Sequence, residues 1–318
     1  MLLEVKNTIK EVKNMEKNNK PLEKVSVIGA GTLGTQISMV AAYNDYEVST
    51  YDPQPGALEK NFEKLRLEMK SKKIKPLIPM DKWEGCINKI KQENNIKNTV
   101  MKAELIIEAV PEKIELKREI FKQIGKYTLP NAIIATNSSS IPVSRLEESS
   151  GRPNFCLNIH FYFPLQGLNI ADVMGGTKTS PETLQKGIEW IRSLNFIPLT
   201  VKKELLGFCF NRVWRAIKRE TLYMWGNGFV DFKDVDRAWM VFTGAKEGPF
   251  AIMDKVGLDV VYDIEMVYYN DSKDPKDLPP KALLEKIQKG NLGIKTGKGF
   301  YEYPDPEYLE PRFLDPSD

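Results

Sequence analysis

The chain carries a single histidine, His160, and only three cysteines, Cys86, Cys156 and Cys209, in 318 residues. One imidazole excludes a paired HExxH metal centre, and no cysteine cluster stands in for it, so no metal is implied. Three widely spaced cysteines without a CxxC pair make a poor disulfide framework, and a reducing cytoplasm is the expected location. No run approaches the ~18 apolar residues of a membrane helix. Met1-Leu2-Leu3 is interrupted at once by Glu4 and Lys6, which argues against a secretory leader. Charge of one sign is also scarce in net terms: 46 Lys and Arg against 43 Asp and Glu leave +3. That is too little to argue for nucleic-acid or membrane partners. There is no internal repeat. What is present is an apolar fraction of 42%, enough for a sizeable core, on a length that suggests two domains.

The single histidine lies in an apolar run, Phe155-Cys156-Leu157-Asn158-Ile159-His160-Phe161-Tyr162-Phe163-Pro164. Histidine is the side chain that exchanges a proton near neutral pH without a large environmental shift. Asp172 follows twelve positions on, after a Pro-Leu-Gln-Gly break that can turn the chain back. His160 is therefore either a base held by a carboxylate or a core histidine with both nitrogens satisfied.

The first third of the chain favours chemistry. Val25-Ser26-Val27-Ile28 reads as a buried strand, Gly29-Ala30-Gly31-Thr32-Leu33-Gly34 follows at once, and Thr35 to Tyr43 has helix-forming composition. Glu47 to Tyr51 reads as a second strand ending at Asp52. In this context each glycine plays a separate part. Gly29 permits a tight turn, Gly31 lets backbone approach a pyrophosphate, and Gly34 lets the helix pack on the strand. The helix N-terminus, with Thr32 and Leu33, offers N–H groups and a partial positive charge to phosphates. Asp52 stands where a ribose 2′-hydroxyl is expected. A carboxylate there repels a 2′-phosphate, and Pro53 and Gln54 supply no arginine, which favours NAD over NADP.

Further strands are predicted over 103–110, 132–136, 155–163 and 169–174, and helices over 56–98, 113–126 and 181–195. From about 205 strand signals vanish, and the remainder reads as helices broken by Gly226-Asn227-Gly228 and Gly248-Pro249. Leu2, Val5, Ile9 and Val12 stand at helical spacing in a lysine- and asparagine-rich start. The expectation is an extension over 1–22, a doubly wound parallel α/β sheet over 23–204 and an all-α domain over 205–318. In such sheets ligands bind beyond the carboxyl ends of the strands. Gly29, Asp52, Pro111, Asn137 to Ser140 and His160 all fall at or near such ends.

Taken together, these residues resemble the L-3-hydroxyacyl-CoA dehydrogenases from about residue 24 to about residue 303. The matching stretches are Val27 to Gly34, Glu108-Ala109-Val110-Pro111-Glu112, Thr136 to Ser140, His160-Phe161-Tyr162, Gly207-Phe208 through Asn211-Arg212, Glu247 to Phe250 and Lys295-Thr296-Gly297-Lys298-Gly299-Phe300-Tyr301. The last reads as a structural loop. The resemblance implies a Rossmann-type NAD domain followed by a helical substrate and dimerisation domain. It also implies a homodimer, an acyl-CoA substrate, and hydride transfer between C3 of a 3-hydroxyacyl-CoA and the nicotinamide. It implies His160 as the general base, Asp172 as its carboxylate partner, and Ser139 and Asn211 near the substrate. Glu112 and Lys117 would lie at the nicotinamide-side ribose, with Pro111, Asn137 and Ser139 also lining the cofactor site.

Two residues depart from the resembled pattern. Phe163 replaces an asparagine, and Asp172 replaces a longer glutamate. Both changes bear on the substrate. A CoA-free hydroxy acid, carnitine- or gulonate-like, is therefore the alternative, and a weakly catalytic NAD-binding protein a third reading. The basic stretch Lys60, Lys64, Arg66, Lys70, Lys72 and Lys73 would suit the phosphates of CoA by resemblance, or form a solvated helix face.

Overall fold

The computed structural model describes residues 20–72, 76–162 and 168–315. The expected helix bearing Leu2, Val5, Ile9 and Val12, together with Phe163 and Lys73, lies outside the described residues. The chain divides into two compact units, one ending at Cys209 and the other beginning at Phe210, a few residues beyond the change in composition.

The first unit is built on one sheet with strand order β3-β2-β1-β4-β5-β6-β7-β8. The strands are β1 Lys24–Ile28, β2 Glu47–Tyr51, β3 Ile90–Gln92, β4 Leu105–Glu108, β5 Ile133–Thr136, β6 Cys156–Phe161, β7 Ile170–Gly175 and β8 Ile197–Val201. The connecting helices are α1 Thr32–Tyr43, α2 Ala57–Lys72, α3 Trp83–Ile87, α4 Ile96–Val100, α5 Ile114–Tyr127 and α6 Pro181–Ser193. The central strands β4 and β5 are buried along their whole length. This is why they read as continuous apolar runs rather than alternations. In α1, Gly34 to Ala42 are all buried, consistent with its small, uncharged composition. In α5 the buried stripe is Lys117, Ile120, Phe121, Ile124 and Gly125. A lysine therefore occupies an apolar face at helical spacing.

Three features differ from the sequence expectation. The sheet is mixed, because β6 and β7 run antiparallel while the other neighbours are parallel. The stretch 56–98 is not helical throughout: it contains β3, a three-residue edge strand with only Ile90 buried, too short to display a period. β8 carries Pro198, which demotes a strand signal. Proline is tolerated there because β8 is the outermost strand.

β1 lies between β2 and β4, so the connections leave it in opposite directions and open a crevice at the strand ends. Tyr51, Ile28, Glu108 and Thr136 stand in one register row across β2, β1, β4 and β5. The residues that follow them (Asp52, Gly29, Ala109 and Asn137) therefore emerge along one edge.

The second unit is helical: α7 Phe210–Gly226, α8 Phe232–Thr243, α9 Pro249–Val256, α10 Leu258–Ser272 and α11 Lys281–Gln288. Its core includes Leu222, Met240, Phe250, Met253, Leu258 and Phe300. Two buried aspartates organise it. Asp236 accepts from Phe250 N at 2.9 Å, Ala251 N at 3.0 Å and Tyr301 Oη at 2.9 Å, which caps α9 from α8. Burial pushes its carboxyl up to about 6 against these hydrogen bonds. Asp254 accepts from Phe300 N and Tyr301 N, both at 2.9 Å, and from Tyr303 Oη at 3.1 Å. The Lys295–Tyr301 loop is thus folded around Asp254. A Cβ on Gly299 would meet Asp254 Oδ1 at 2.1 Å, and one on Gly293, at φ +98°, would meet Asp254 O at the same distance. Gly293 and Gly299 are thus required by close approach to Asp254, whereas Gly297 is not crowded and instead adopts φ +75°. Among the described residues no helix is long and apolar enough to cross a membrane.

Asp254→Ala leaves two buried N–H groups and a tyrosine hydroxyl without their acceptor. A loss of about 2–4 kcal/mol is expected, since each orphaned buried donor costs roughly 1–3 kcal/mol. Urea denaturation measures it, and an unchanged midpoint would show that this carboxylate does not anchor the loop.

Candidate active site

The glycine turn has the geometry its sequence context requires. Gly29 sits at φ +103°, and a Cβ there would lie 2.6 Å from Ala109 O. A Cβ on Gly34 would lie 1.8 Å from Gly29 O, inside van der Waals contact, so α1 packs on the turn only because that side chain is absent. Gly31 is different. No atom lies within 4 Å of its would-be Cβ, so the protein's own packing does not demand a glycine. Gly31 is the N-cap of α1, with no side-chain cap and no acid in the first turn. Exposed Thr32 and half-buried Leu33 open the helix. This is a cradle for an anion, with backbone N–H groups and the positive end of the helix dipole facing open space.

Beside it, a cleft of about 550 Å³ is lined by Ala30, Asp52, Pro53, Gln54, Glu59 and Glu93, among others, and by no lysine or arginine. Asp52 bridges the turn to the end of β2: Oδ2 accepts from Ala30 N at 2.8 Å and Oδ1 from Gln54 N at 2.9 Å. A carboxylate offers about four lone pairs, so two hydrogen bonds leave capacity for ribose hydroxyls. The carboxylate of Glu59 also lines the cleft and disfavours a 2′-phosphate, whereas Glu93 is paired with Lys91 at 2.6 Å. The residues present fit NAD.

At the ends of β4 and β5 lies a second polar group of side chains. Glu108, fully buried, accepts from Val110 N at 2.8 Å, Lys117 Nζ at 2.7 Å and Thr136 Oγ1 at 2.7 Å. Lys117 Nζ also donates to Val110 O at 3.2 Å and stands 3.2 Å from Glu112. With three donors committed, Lys117 holds Glu112 rather than reaching outward. Glu112 accepts from Ser138 Oγ, from Ser140 N at 3.1 Å and from Ser140 Oγ at 2.7 Å. Partial burial pushes its carboxyl up, but Lys117 and the two serines outweigh this and hold it below the usual range. Pro111 is exposed at the start of the turn into α5. Asn137 Oδ1 accepts from Phe161 N at 2.9 Å, tying β5 to the strand that bears His160. Ser139 is exposed, and among the described residues its hydroxyl has no hydrogen bond within this unit.

His160 and Asp172 are register partners across the antiparallel β6–β7 pair. Residues directly opposite one another on such strands point to the same face, and His160 Nδ1 stands 3.2 Å from Asp172 Oδ2. Asp172 is fully buried and His160 only 5% exposed. An ionised carboxylate only accepts, so this contact favours a proton on Nδ1, which in a neutral ring leaves the Nε2 lone pair free. Two aromatic rings fix the imidazole. Phe208 stacks on it at 4.8 Å and 5°, and Tyr162 meets it edge-on at 4.8 Å and 71°. Gly207 and Phe208 both adopt positive φ, +85° and +52°. The resulting turn places the Phe208 ring under the histidine and sends Cys209 N to Asp172 Oδ1 at 3.3 Å.

Sequence reasoning missed Tyr162, Phe208 and the Asn137 clamp as partners of this site, because hydrogen bonds across strands and a non-glycine left-handed residue leave no periodic signal. Asn211 lies in α7, half-buried, in the second unit. The basic stretch is partly self-neutralised: Arg66 binds Glu63 at 2.8 Å and Glu84 at 3.5 Å, while Lys60, Lys64 and Lys70 are exposed.

The family model for the 3-hydroxyacyl-CoA dehydrogenase NAD binding domain matches residues 24–205, and that for the C-terminal domain of the same enzymes matches residues 207–303. A probable 3-hydroxybutyryl-CoA dehydrogenase of Deinococcus radiodurans is 30% identical over 287 residues, covering 88% of this chain and all of the relative. The 5-formyl-3-hydroxy-2-methylpyridine 4-carboxylate 5-dehydrogenase of Mesorhizobium japonicum is 28% identical over 285 residues, covering 89% of this chain and 91% of that one. Among solved structures, a diketoreductase superposes with a TM-score of 0.78 at 34% identity, covering 89% of this chain and 99% of that one.

Gly31→Ala and Gly34→Ala separate ligand contact from packing. Gly31→Ala is expected to leave the melting temperature within a degree or two and to weaken NADH binding at least tenfold, read by fluorescence titration. Gly34→Ala is expected to destabilise the fold. Equal loss of stability in both, or unchanged affinity in Gly31→Ala, would contradict the assignment of Gly31 to the pyrophosphate.

Proposed function

Because the chain belongs to the 3-hydroxyacyl-CoA dehydrogenase family, we propose that it interconverts a 3-hydroxyacyl-CoA and its 3-oxoacyl-CoA, with His160 as the general base. The observation that carries this reading is the buried His160–Asp172 pair, in register on β6 and β7 in the unit that bears the glycine turn. The Gly29–Gly34 turn and Asp52 would hold NAD, which when bound would supply the hydride acceptor for C3. Every other role falls to this chain's own groups. His160 Nε2 takes the hydroxyl proton in oxidation and returns it in reduction. Asp172 stabilises the resulting imidazolium and keeps its Nδ1–H oriented. Ser139 offers an uncommitted hydroxyl, and Asn211 is proposed to contribute from the helical unit. Glu112, kept ionised and aimed by Lys117, Ser138 and Ser140, is the acceptor on the nicotinamide side. Exposed Val260, Ile264 and Val267 on one face of α10 support a homodimer. Free Cys86, Cys156 and Cys209 suit a reducing, cytoplasmic setting.

One observation favours a second reading, a CoA-free hydroxy acid. Arg66, the guanidinium of the basic helix, is engaged by Glu63 and Glu84 instead of standing free for phosphate, and the Mesorhizobium relative is named for a pyridine carboxylate.

The test follows NADH absorbance with acetoacetyl-CoA and with free acetoacetate, in the parent protein and in His160→Ala. Turnover of the thioester, falling by a factor of about 10²–10⁴ in the variant with NADH affinity unchanged, is the expected result. Turnover of the free acid alone sinks the CoA reading, and full activity in His160→Ala sinks the base.

A further inference from the structure

The carboxylate that orients His160 is shared with a third group. Asp172 Oδ2 receives the imidazole Nδ1–H at 3.2 Å and also the hydroxyl of Tyr162. Its other oxygen receives Cys209 N. The carboxylate is fully buried, and Tyr162 is only 7% exposed. Among the described residues no lysine or arginine pairs with Asp172. We propose that Tyr162 is a positioning residue of the catalytic pair, its hydroxyl fixing the Asp172 oxygen and drawing off part of the negative charge that Asp172 presents to His160.

The surroundings make this hydroxyl the group that tunes the pair. On β8 the residue opposite Asp172 is Leu199, which is apolar. From β5, Asn137 engages the backbone of Phe161 and not the imidazole. The turn before the second unit brings Phe208, stacked on the ring, and Cys209, whose backbone N–H donates to Asp172. Residues 163–167 carry no ionisable side chain. Among the described residues, the titratable groups seen against the carboxylate are His160 and Tyr162, with the exposed Cys209 thiol on the residue whose N–H it accepts. Of these, Tyr162 alone shares an oxygen with the imidazole.

The chemistry has a definite sign. A hydrogen bond donated to a carboxylate stabilises and disperses its charge, which weakens its hold on a neighbouring cation. Tyr162 therefore makes the imidazolium easier to deprotonate, which keeps the base available at a lower pH. A shorter acid at position 172 fits the same arrangement. The 3.2 Å approach lies at the long end for N–H···O, and the tyrosine hydroxyl occupies the side of Oδ2 that the imidazole does not use. The functional consequence rests on the reading of His160 as the base, whereas the charge argument does not.

The experiment uses the only imidazole in the chain as its own probe. His160 is titrated by NMR in the full-length parent, in Tyr162→Phe, in Asp172→Asn and in the double variant, and the pH profile of kcat/KM for alcohol oxidation is recorded alongside. In Tyr162→Phe the imidazole titration is expected to move up by about 0.5–1 pH unit, and the acid limb of the profile to move with it. In the Asp172→Asn background the same substitution should move it by less than about a third as much, because the charge being moderated is gone. No shift in Tyr162→Phe, or an equal shift in both backgrounds, overturns the proposal, since a merely structural role would not distinguish them. If the NMR shift appears while the kinetic profile of the parent lacks an acid limb, Tyr162 tunes His160 as stated and the general-base reading is what fails.

Discussion

A buried carboxylate opposite an imidazole on antiparallel strands is the arrangement on which this site depends. It exists because the chain reverses between β6 and β7 and pairs them with His160 against Asp172. A parallel continuation of the doubly wound sheet would have carried the next strand away through a helix, leaving His160 without a partner of fixed register. A register slip of one residue would turn Asp172 to the opposite face. The burial of Asp172 gives its charge effect at short range, and the three donors around it compensate the loss of water. The proposed chemistry thus rests on a sheet-level constraint rather than on a loop.

Much of the cofactor half was legible in the sequence, for a physical reason. A strand, a tight glycine turn, a helix N-terminus and an acid follow one another locally, so composition and spacing carry the geometry. The glycines at 29 and 34 are required by close approach of the protein to itself, whereas Gly31 is free of such contacts, which supports its proposed role beside a ligand. The spacing already gave the three glycines different parts, and the packing around Gly29 and Gly34 agrees with theirs. The single histidine was equally plain. β3 and β8 were not, since one is three residues long and the other contains Pro198 at the sheet edge. The sharing of Asp172 between His160 and Tyr162 was also hidden, because it joins residues that are brought together only when the strands pair. The same holds for Lys117: its place on the apolar stripe of α5 announces burial, but its partner Glu108 comes from β4.

The two ends of the proposed reaction differ in how firmly the chain commits to a ligand. Around Asp52 the cleft is lined by Glu59 and Glu93 and by no lysine or arginine, a setting that favours NAD over a 2′-phosphate. Family membership makes the enzyme an NAD-dependent oxidoreductase. On the substrate side the commitments are fewer. Arg66 is bound to two glutamates, and relatives of similar identity are named for CoA thioesters and for a pyridine carboxylate.

The most direct test of the central claim is the protonation state of His160 itself. With one histidine in the chain, ¹⁵N–¹H correlation spectroscopy of the imidazole yields a single spin system. The account predicts, at a pH where the ring is neutral, a proton on Nδ1 and a bare Nε2, with the preference lost in Asp172→Asn. A neutral ring that carries its proton on Nε2, or a tautomer indifferent to Asp172, would contradict it.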